Sequence, residues 1–568
     1  MFESAKMSEA ERSAAKDAGH TGGLAIPYVQ DRPRLNKPPL IYWLQAGSAA
    51  IFTGGKPPDD AIWMYRIPGV LCAIGAVLAT WRLALSMYAG VGGGGGGGNA
   101  RLIAFVAAGA LAICPVVIID AHQARADQLL LLTVVLTQWM LWKIVRGDRR
   151  TRVAVLFWVF VGLGVLSKGP ITPMIAGLTV LAWSFLRREW RWMWNLRPVM
   201  GVLIVGGLVA PWVYAVAAHI GFENYWRTIW GETIGRSVEG KEGHWGPPGY
   251  HLLLVFFLLW PVSLGIPGAI VSFWRSERAG GAGETGNGAV RAGFRERLRG
   301  ASVARPHDAF LLAWVVPSWV VFEFVSTKLP HYTLPLFPAL CILGAAWLVQ
   351  AAASGARAPT GAFLHLTRFW FGTGIVVLIG LGALALSLSW WEALGWWKSS
   401  IAGEPLPRTN WLLTVPIALM LALMFVSGRE LARMRTVESL ALAACAVVIG
   451  FGLLFGAVAP VALSLTTRIV QAAAPEERRA GLALYDFYED SLIFLTRGTA
   501  FRGGIDHSQE RVEVIAESSK PAPEMRDRAI LLRGLNIAKG RCETVLVVKP
   551  ATSGEAGFRP AREGIERR

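Results

Sequence analysis

Apolar runs long enough to cross a bilayer recur from residue 66 to residue 465, and no other feature limits the fold as strongly. A helix needs about 20 mostly apolar residues to span the hydrocarbon core. In lipid the backbone must satisfy its own polar groups, so each such run reads as a helix. Twelve candidate spans lie near 66–89, 101–119, 127–145, 153–167, 171–186, 199–218, 250–273, 309–326, 333–352, 369–390, 410–427 and 438–465. The fourth and fifth are short and read as a tilted pair. This divides the chain into an N-terminal loop with interfacial helices (1–65), a transmembrane domain (66–466) and a polar tail (467–568).

A net charge of +17 on a soluble chain would point to nucleic acid. Here the arginines collect in alternate connections, Arg146–Arg152, Arg187–Arg197 and 274–308 among them. Membrane topology explains that pattern through the positive-inside rule, and no nucleic-acid partner is expected. The intervening connections at 120–126, 168–170, 219–249, 327–332 and 391–409 are then external, as are residues 1–65 and the tail. The polar first twenty residues do not read as a signal peptide, so this alternation predicts a further span ahead of Met1. Five cysteines, four of them in apolar runs, give no disulfide framework. Gly92–Gly98 and 279–289 read as flexible connectors. In the tail, Ala480–Phe487, Arg511–Ala516 and Thr544–Lys549 read as strands and Met525–Ala538 as a helix, a small external α/β unit.

The polar residues of the external side fall into short motifs. Asn36–Trp43 reads NKPPLIYW. Pro38 and Pro39 exclude a helix through Lys37 and hold it extended, while Tyr42 and Trp43 suit the headgroup level. Lys37 is either a snorkelling lysine beside a helix start or a cation fixed for a lipid phosphate. Ala121–Asp127 reads AHQARAD; Asp127 is either a helix-capping carboxylate or one held with Arg125 to bind an acceptor. In Leu166–Pro173, LSKGPITP, Lys168 lies at a break forced by Gly169 and Pro170. A lysine at bilayer depth costs roughly 2.5–3.5 kcal/mol unless it snorkels or meets an anion.

Residues 211–251 interleave Glu232, Arg236 and His244 with tryptophans, as either a surface amphipathic helix or a phosphate- and sugar-binding loop. Ser326–Pro338, STKLPHYTLPLFP, adds Lys328, His331 and Tyr332. Several basic groups thus converge on one interface, which favours an anionic lipid headgroup over an ion path along the spans.

Taken together these motifs resemble the bacterial family-39-like membrane glycosyltransferases. That group includes the lipid A aminoarabinose transferases and is distantly related to the protein O-mannosyltransferases. The resemblance rests on Lys37-Pro-Pro-Leu-Ile-Tyr-Trp, Ala124-Arg-Ala-Asp127, Ser167-Lys-Gly-Pro170, Pro211-Trp212, Glu232…Arg236…His244…Pro247 and Lys328-Leu-Pro-His-Tyr332. It implies an α-helical polytopic membrane protein of the C-type glycosyltransferase fold. The implied donor is a sugar on polyprenyl phosphate, transferred at the outer face of the inner membrane to a glycolipid such as lipid A, a polysaccharide or a protein. It also implies a phosphate held by Lys37 and Arg236, with Lys168 as a further cation. Arg125, Glu232, His244, Lys328, His331 and Tyr332 would contact substrate, and an acidic residue would serve as the base. Relatives carry an Asp-Glu pair after their first span; this chain offers Glu3 and Glu9 instead, with Asp127 as a further candidate. No metal-binding motif is evident, and the identity of any cofactor stays open. Two other functions fit the same layout: a lipid or lipid-linked sugar transporter, and an inactive subunit of the same fold.

Overall fold

Proline and glycine decide where the helices of this membrane protein begin, bend and end. The computed structural model describes residues 25–29, 32–35, 37–55, 60–89, 96–230, 246–280, 294–326, 328–353, 365, 369, 371–372, 374–376, 379, 414–455, 465–502, 511–519, 525, 529–536 and 541–550. The chain divides into two compact units, Met1–Thr367 with Glu430–Leu440 and Arg368–Arg429 with Ala441–Arg568.

The first unit opens with a two-residue hairpin, β1 (Tyr28–Val29) against β2 (Arg32–Pro33). Its helices follow in order: α1 (Leu40–Thr53), α2 (Ile62–Tyr88), α3 (Gly96–Ala112), α4 (Pro115–Ala121), α5 (Asp127–Val145), α6 (Thr151–Lys168), α7 (Ile171–Arg187), α8 (Pro198–Ile220), α9 (Phe222–Trp230), α10 (Tyr250–Leu258), α11 (Gly265–Gly280), α12 (Phe294–Ala304), α13 (Pro306–Phe324) and α14 (Phe337–Ala353). Among the described residues, eight helices are long and apolar enough to cross a membrane, or nine if the bent pair α3–α4 is one span. That pair bends by 55° where Pro115 cannot continue the helix. On α8, Leu203 is 71% and Tyr214 78% exposed. Such apolar faces match lipid as solvent, as does the tolerance of Pro68, Pro211 and Pro317 inside α2, α8 and α13.

Three expected spans come out differently. Residues 171–186 form α7, at 17 residues too short to count as a full span. The 250–273 run breaks into α10 and α11, because Pro261 lacks the N–H that a continuous helix needs. The 369–390 run lies mostly outside the described residues.

Helices α15 (Thr414–Ala432) and α16 (Thr436–Leu453) are both of spanning length. In the second unit, α17 (Leu465–Ala472), α18 (Pro475–Ala480) and α19 (Asp490–Leu495) accompany a five-stranded sheet. Its strands are β3 (Leu482–Tyr485), β4 (Phe501–Arg502), β5 (Val512–Ala516), β6 (Ala529–Asn536) and β7 (Arg541–Val548), in the order β4-β3-β5-β7-β6. β3 runs parallel to β4 and β5, whereas β5–β7 and β7–β6 are antiparallel. Val512, Val514 and Ala516 face one core with Leu482, Leu532 and Val545, while Ile515 faces another with Leu546 and Val548. That is the period of two that a pleated strand imposes. The helix expected over 525–538 is instead the strand β6, with Leu532 opposite Val545. A short apolar run carries no period of its own, and pairing with β7 decides it.

Candidate functional site

Four of the sequence motifs meet where α1, α5, α6 and the 328–334 turn come together. Pro39 precedes α1, which begins at Leu40, so Lys37 is held in extended chain immediately before the helix. Ile41 anchors α1 by packing on Cys72, Ala126 and Leu129, which brings Lys37 beside the start of α5. Lys168 is the last residue of α6, where its charge suits the helix C-terminus. Gly169 then turns the chain at φ 69°, and Pro170 precedes α7. A side chain at Gly164 would run into Thr172, so the α6–α7 approach that sets Lys168 requires glycine there.

Asp127 sits in the first turn of α5, 2% exposed, but it is not the helix cap. Ala126 occupies that position and no side-chain cap bond forms. The carboxylate instead pairs through Oδ1 with Lys168 Nζ. Arg125 Nε lies 3.9 Å from Oδ2, and His331 Nε2 3.9 Å from Oδ1. Lys168 also stands over the Tyr332 ring, 5.7 Å from its centroid, a cation–π distance. Arg125 donates to Gln123 Oε1 at 3.2 Å, which keeps it folded over the 122–126 turn.

The electrostatics separate these groups. Burial pushes the Lys37 ammonium down to about 8, helped by the like charges of Lys168, Arg125 and Arg34 and opposed only by Asp127. Burial also pushes His331 down to about 3, with Lys168, Arg125 and Lys37 acting the same way and Asp127 opposing. His331 is therefore neutral at pH 7. It contributes an imidazole that can donate or accept one hydrogen bond, where the sequence pattern had counted a basic group. Three cations, Lys37, Arg125 and Lys168, act on the buried carboxylate of Asp127, and the carboxyl of Asp120 lies within electrostatic reach of Arg125, Lys168 and Asp127. Cations outnumber carboxyl groups in the cluster.

Lys328 stands apart. It is 5% exposed, and its ammonium donates to the carbonyls of Glu323 at 2.6 Å and Val325 at 3.0 Å, with Glu323 Oε2 at 3.6 Å. Glu323 also accepts from the Gly249 N–H at 3.0 Å and from Trp319 Nε1 at 3.2 Å. His251 Nε2 lies 3.1 Å from the Leu329 carbonyl and completes this knot between α10 and α13. The structure gives Lys328 a partner set made of the chain itself.

Of the remaining candidates, Glu3, Glu9, Glu232, Arg236 and His244 lie outside the described residues. Within the expected amphipathic stretch, Phe222–Trp230 forms α9, with Glu223 and Arg227 paired at 2.6 Å across one turn, and its continuation through Ile234 and Arg236 lies outside the described residues. Sequence reasoning missed Asp120. It is buried at the end of α4 and accepts from Gln128 Nε2 at 3.0 Å, and Gln128 Nε2 also lies 3.2 Å from the Val117 carbonyl. These bonds tie α4 to α5 and fix the turn carrying Arg125 and Asp127. The available signal was an aspartate inside an apolar run, which membrane burial rarely tolerates without a role.

Comparison with known proteins fits this geometry. The model of the family described as "Dolichyl-phosphate-mannose-protein mannosyltransferase" matches residues 36–215, which hold Lys37, Arg125, Asp127 and Lys168. An undecaprenyl phosphate-alpha-4-amino-4-deoxy-L-arabinose arabinosyl transferase from Edwardsiella ictaluri is 28% identical over 44% of this chain and 38% of its own length. Its counterpart from Erwinia tasmaniensis is 24% identical over 64% of this chain and 59% of its own. The chain thus spans about two fifths to three fifths of these curated relatives. The crystal structure of ArnT from Cupriavidus metallidurans bound to undecaprenyl phosphate superposes with a TM-score of 0.62 at 18% identity, covering 94% of this chain and 92% of that one. This chain is a polytopic membrane protein of the C-type glycosyltransferase fold, similar to the bacterial family-39-like membrane glycosyltransferases and to the lipid A aminoarabinose transferases among them.

Proposed function

We propose that this protein transfers a sugar from a polyprenyl phosphate to an acceptor at the outer face of the inner membrane, with lipid A or another glycolipid the leading acceptor class. The observation that carries the reading is Lys37, a rigidly placed ammonium with no ion-pair partner among the described residues and with neighbours that are mostly cations. A lipid phosphate supplies the missing anion. The similar proteins are named for undecaprenyl-phosphate-linked sugar transfer, and a structure of the same fold holds undecaprenyl phosphate.

In this reading Lys37 and Arg125 face the phosphate, and Asp127 holds Lys168 oriented beside them. Arg236 is the further cation proposed from the sequence. As the glycosyl–phosphate bond breaks, negative charge grows on the leaving phosphate, and preorganised cations stabilise it more than the ground state. The charge of Asp127 is committed to Lys168, so Asp127 positions the clamp. A carboxylate elsewhere, Glu9 or Glu3 by proposal, takes the proton of the acceptor hydroxyl. Neutral His331 and Tyr332 orient sugar hydroxyls.

Mass spectrometry of polyprenyl phosphate sugars and of glycolipids, with and without the gene, tests the reading. Loss of the gene should leave one lipid-linked sugar accumulated and one glycolipid unsubstituted. Unchanged profiles in both pools, under conditions where the protein is made, would refute it.

A further inference from the structure

At the other end of the helices that carry this cluster lies a cavity of about 400 Å³, lined by Tyr88, Asn99, Ile103, Arg305, His307 and Gln350 among others. Helix α13 runs from the cavity at Pro306 to the Lys328 end at Phe324, about 28 Å at 1.5 Å per residue. The two places therefore cannot share one headgroup. The volume falls within the range of small-ligand pockets, roughly 300–1,000 Å³.

The polar lining consists of Tyr88, Arg305, His307 and the amides of Asn99 and Gln350. Asp308 carries the local negative charge but does not line the space. It accepts from Tyr88 Oη at 3.0 Å and pairs with Arg305 Nε at 2.8 Å, itself 1% exposed. Arg305 also donates from Nη2 to Gln350 Oε1 at 3.2 Å. That bond leaves the carboxamide nitrogen of Gln350 and the rest of the guanidinium for the cavity, beside the amide of Asn99. His307 is 7% exposed and stacks near Tyr88, with ring centroids 4.5 Å apart. Its nearest polar partner is Asp308 Oδ1 at 4.0 Å, beyond hydrogen-bond reach, so among the described residues its ring nitrogens have no hydrogen bond. Those nitrogens are not fully enclosed, so they stay open to a partner that enters the cavity.

We propose that this cavity is a second ligand site, at the bundle end opposite Lys37, for a phosphate-bearing headgroup. Arg305, His307, Asn99 and Gln350 supply charge-assisted and neutral donors to the phosphate oxygens. Ile103 and the neighbouring alanines take the carbon skeleton.

The test uses the full chain carrying Lys37→Ala, so that the first cluster does not compete for the probe. The delipidated protein is offered phosphatidylglycerol, a galactolipid without phosphate, or inorganic phosphate, and adducts are read by native mass spectrometry. Phosphatidylglycerol should be retained at least tenfold better than the galactolipid. His307→Phe keeps the ring contact with Tyr88, and Asn99→Trp fills the space without touching an ion pair. Either should reduce retention at least tenfold while the elution volume of the protein stays unchanged. Displacement of the lipid by inorganic phosphate would identify a soluble phosphate compound as the occupant, and resistance would identify the membrane lipid. Equal retention of both lipids, or retention unaffected by both substitutions, overturns the proposal.

Discussion

Lys37 and Lys328 look alike in sequence, each a lysine within two residues of a proline that opens an aromatic or apolar run, yet their surroundings are opposite. Lys328 is enclosed by two carbonyls and the Glu323 carboxylate, and Gly246 leaves room for its stem at Cβ distances near 3.0 Å. Lys37 is half-buried beside other cations and, among the described residues, has no hydrogen-bonded or ion-paired partner. A cation satisfied by its own chain holds helices together; a cation left unsatisfied is arranged for something that arrives from outside. Sequence spacing alone cannot separate the two, because the separating groups, Glu323 and Asp127, come from other helices.

The largest expected effect lies at the unsatisfied cation. Charge-assisted hydrogen bonds contribute about 1.5–3 kcal/mol each, and a decade of rate corresponds to 1.36 kcal/mol. Lys37→Ala should therefore cut transfer roughly tenfold to a hundredfold, with the protein level and thermal midpoint near those of the parent. Arg236→Ala is expected to do the same by the sequence argument. Transfer at the parental rate in both variants would remove the clamp assignment.

The comparison inverts at Lys328. Lys328→Met leaves the half-buried Glu323 without its cation and two carbonyls without their donor. Breaking a buried pair in this way costs about 3–5 kcal/mol. A lower thermal midpoint in detergent, with activity per folded molecule retained, is the expected outcome. A variant of parental stability whose turnover has collapsed would make Lys328 a substrate contact after all.

Much of this was legible before any coordinates. The KPP, ARAD and SKGP segments picked out residues that the fold brings together, because proline, glycine and interfacial charge act locally. The helical class followed from the apolar runs. What was hidden depends on tertiary pairing. Asp127 was weighed as a cap, but Lys168, 41 residues later, claims its carboxylate. His331 counted as basic until burial among three cations made it neutral. Asp120 and Gln128 sat unremarked in apolar runs although they pin the turn between α4 and α5. In the tail, β6 became a strand only because β7 lies beside it.

The smallest expected effect, and the sharpest contrast between the two lysines, is the pH dependence of lipid phosphate binding. In the unliganded protein the Lys37 ammonium titrates at about 8, below its ordinary value near 10.5, mainly through burial and then through Lys168. The unfolded chain binds the extra proton between those values, so this group contributes a stability that rises with pH across roughly 8 to 10.5. Binding has the opposite sign. A phosphate beside Lys37 favours the ammonium and moves its titration back up, so affinity is full below pH 8 and falls as the free protein loses the proton. From pH 7 to pH 9 the charged fraction drops from about nine tenths to about one tenth, which sets a weakening of about tenfold for undecaprenyl phosphate. The phosphate itself is already fully ionised over this window, since its second proton leaves near pH 6, and its charge cannot produce the loss. Binding measured in nanodiscs across pH 7–9 should show this slope in the parent and a flat profile in Lys37→Arg, whose guanidinium keeps its charge throughout. Lys328→Met should retain the parental slope. A flat profile in the parent would place the titrating cation elsewhere, with Lys168 the first to examine.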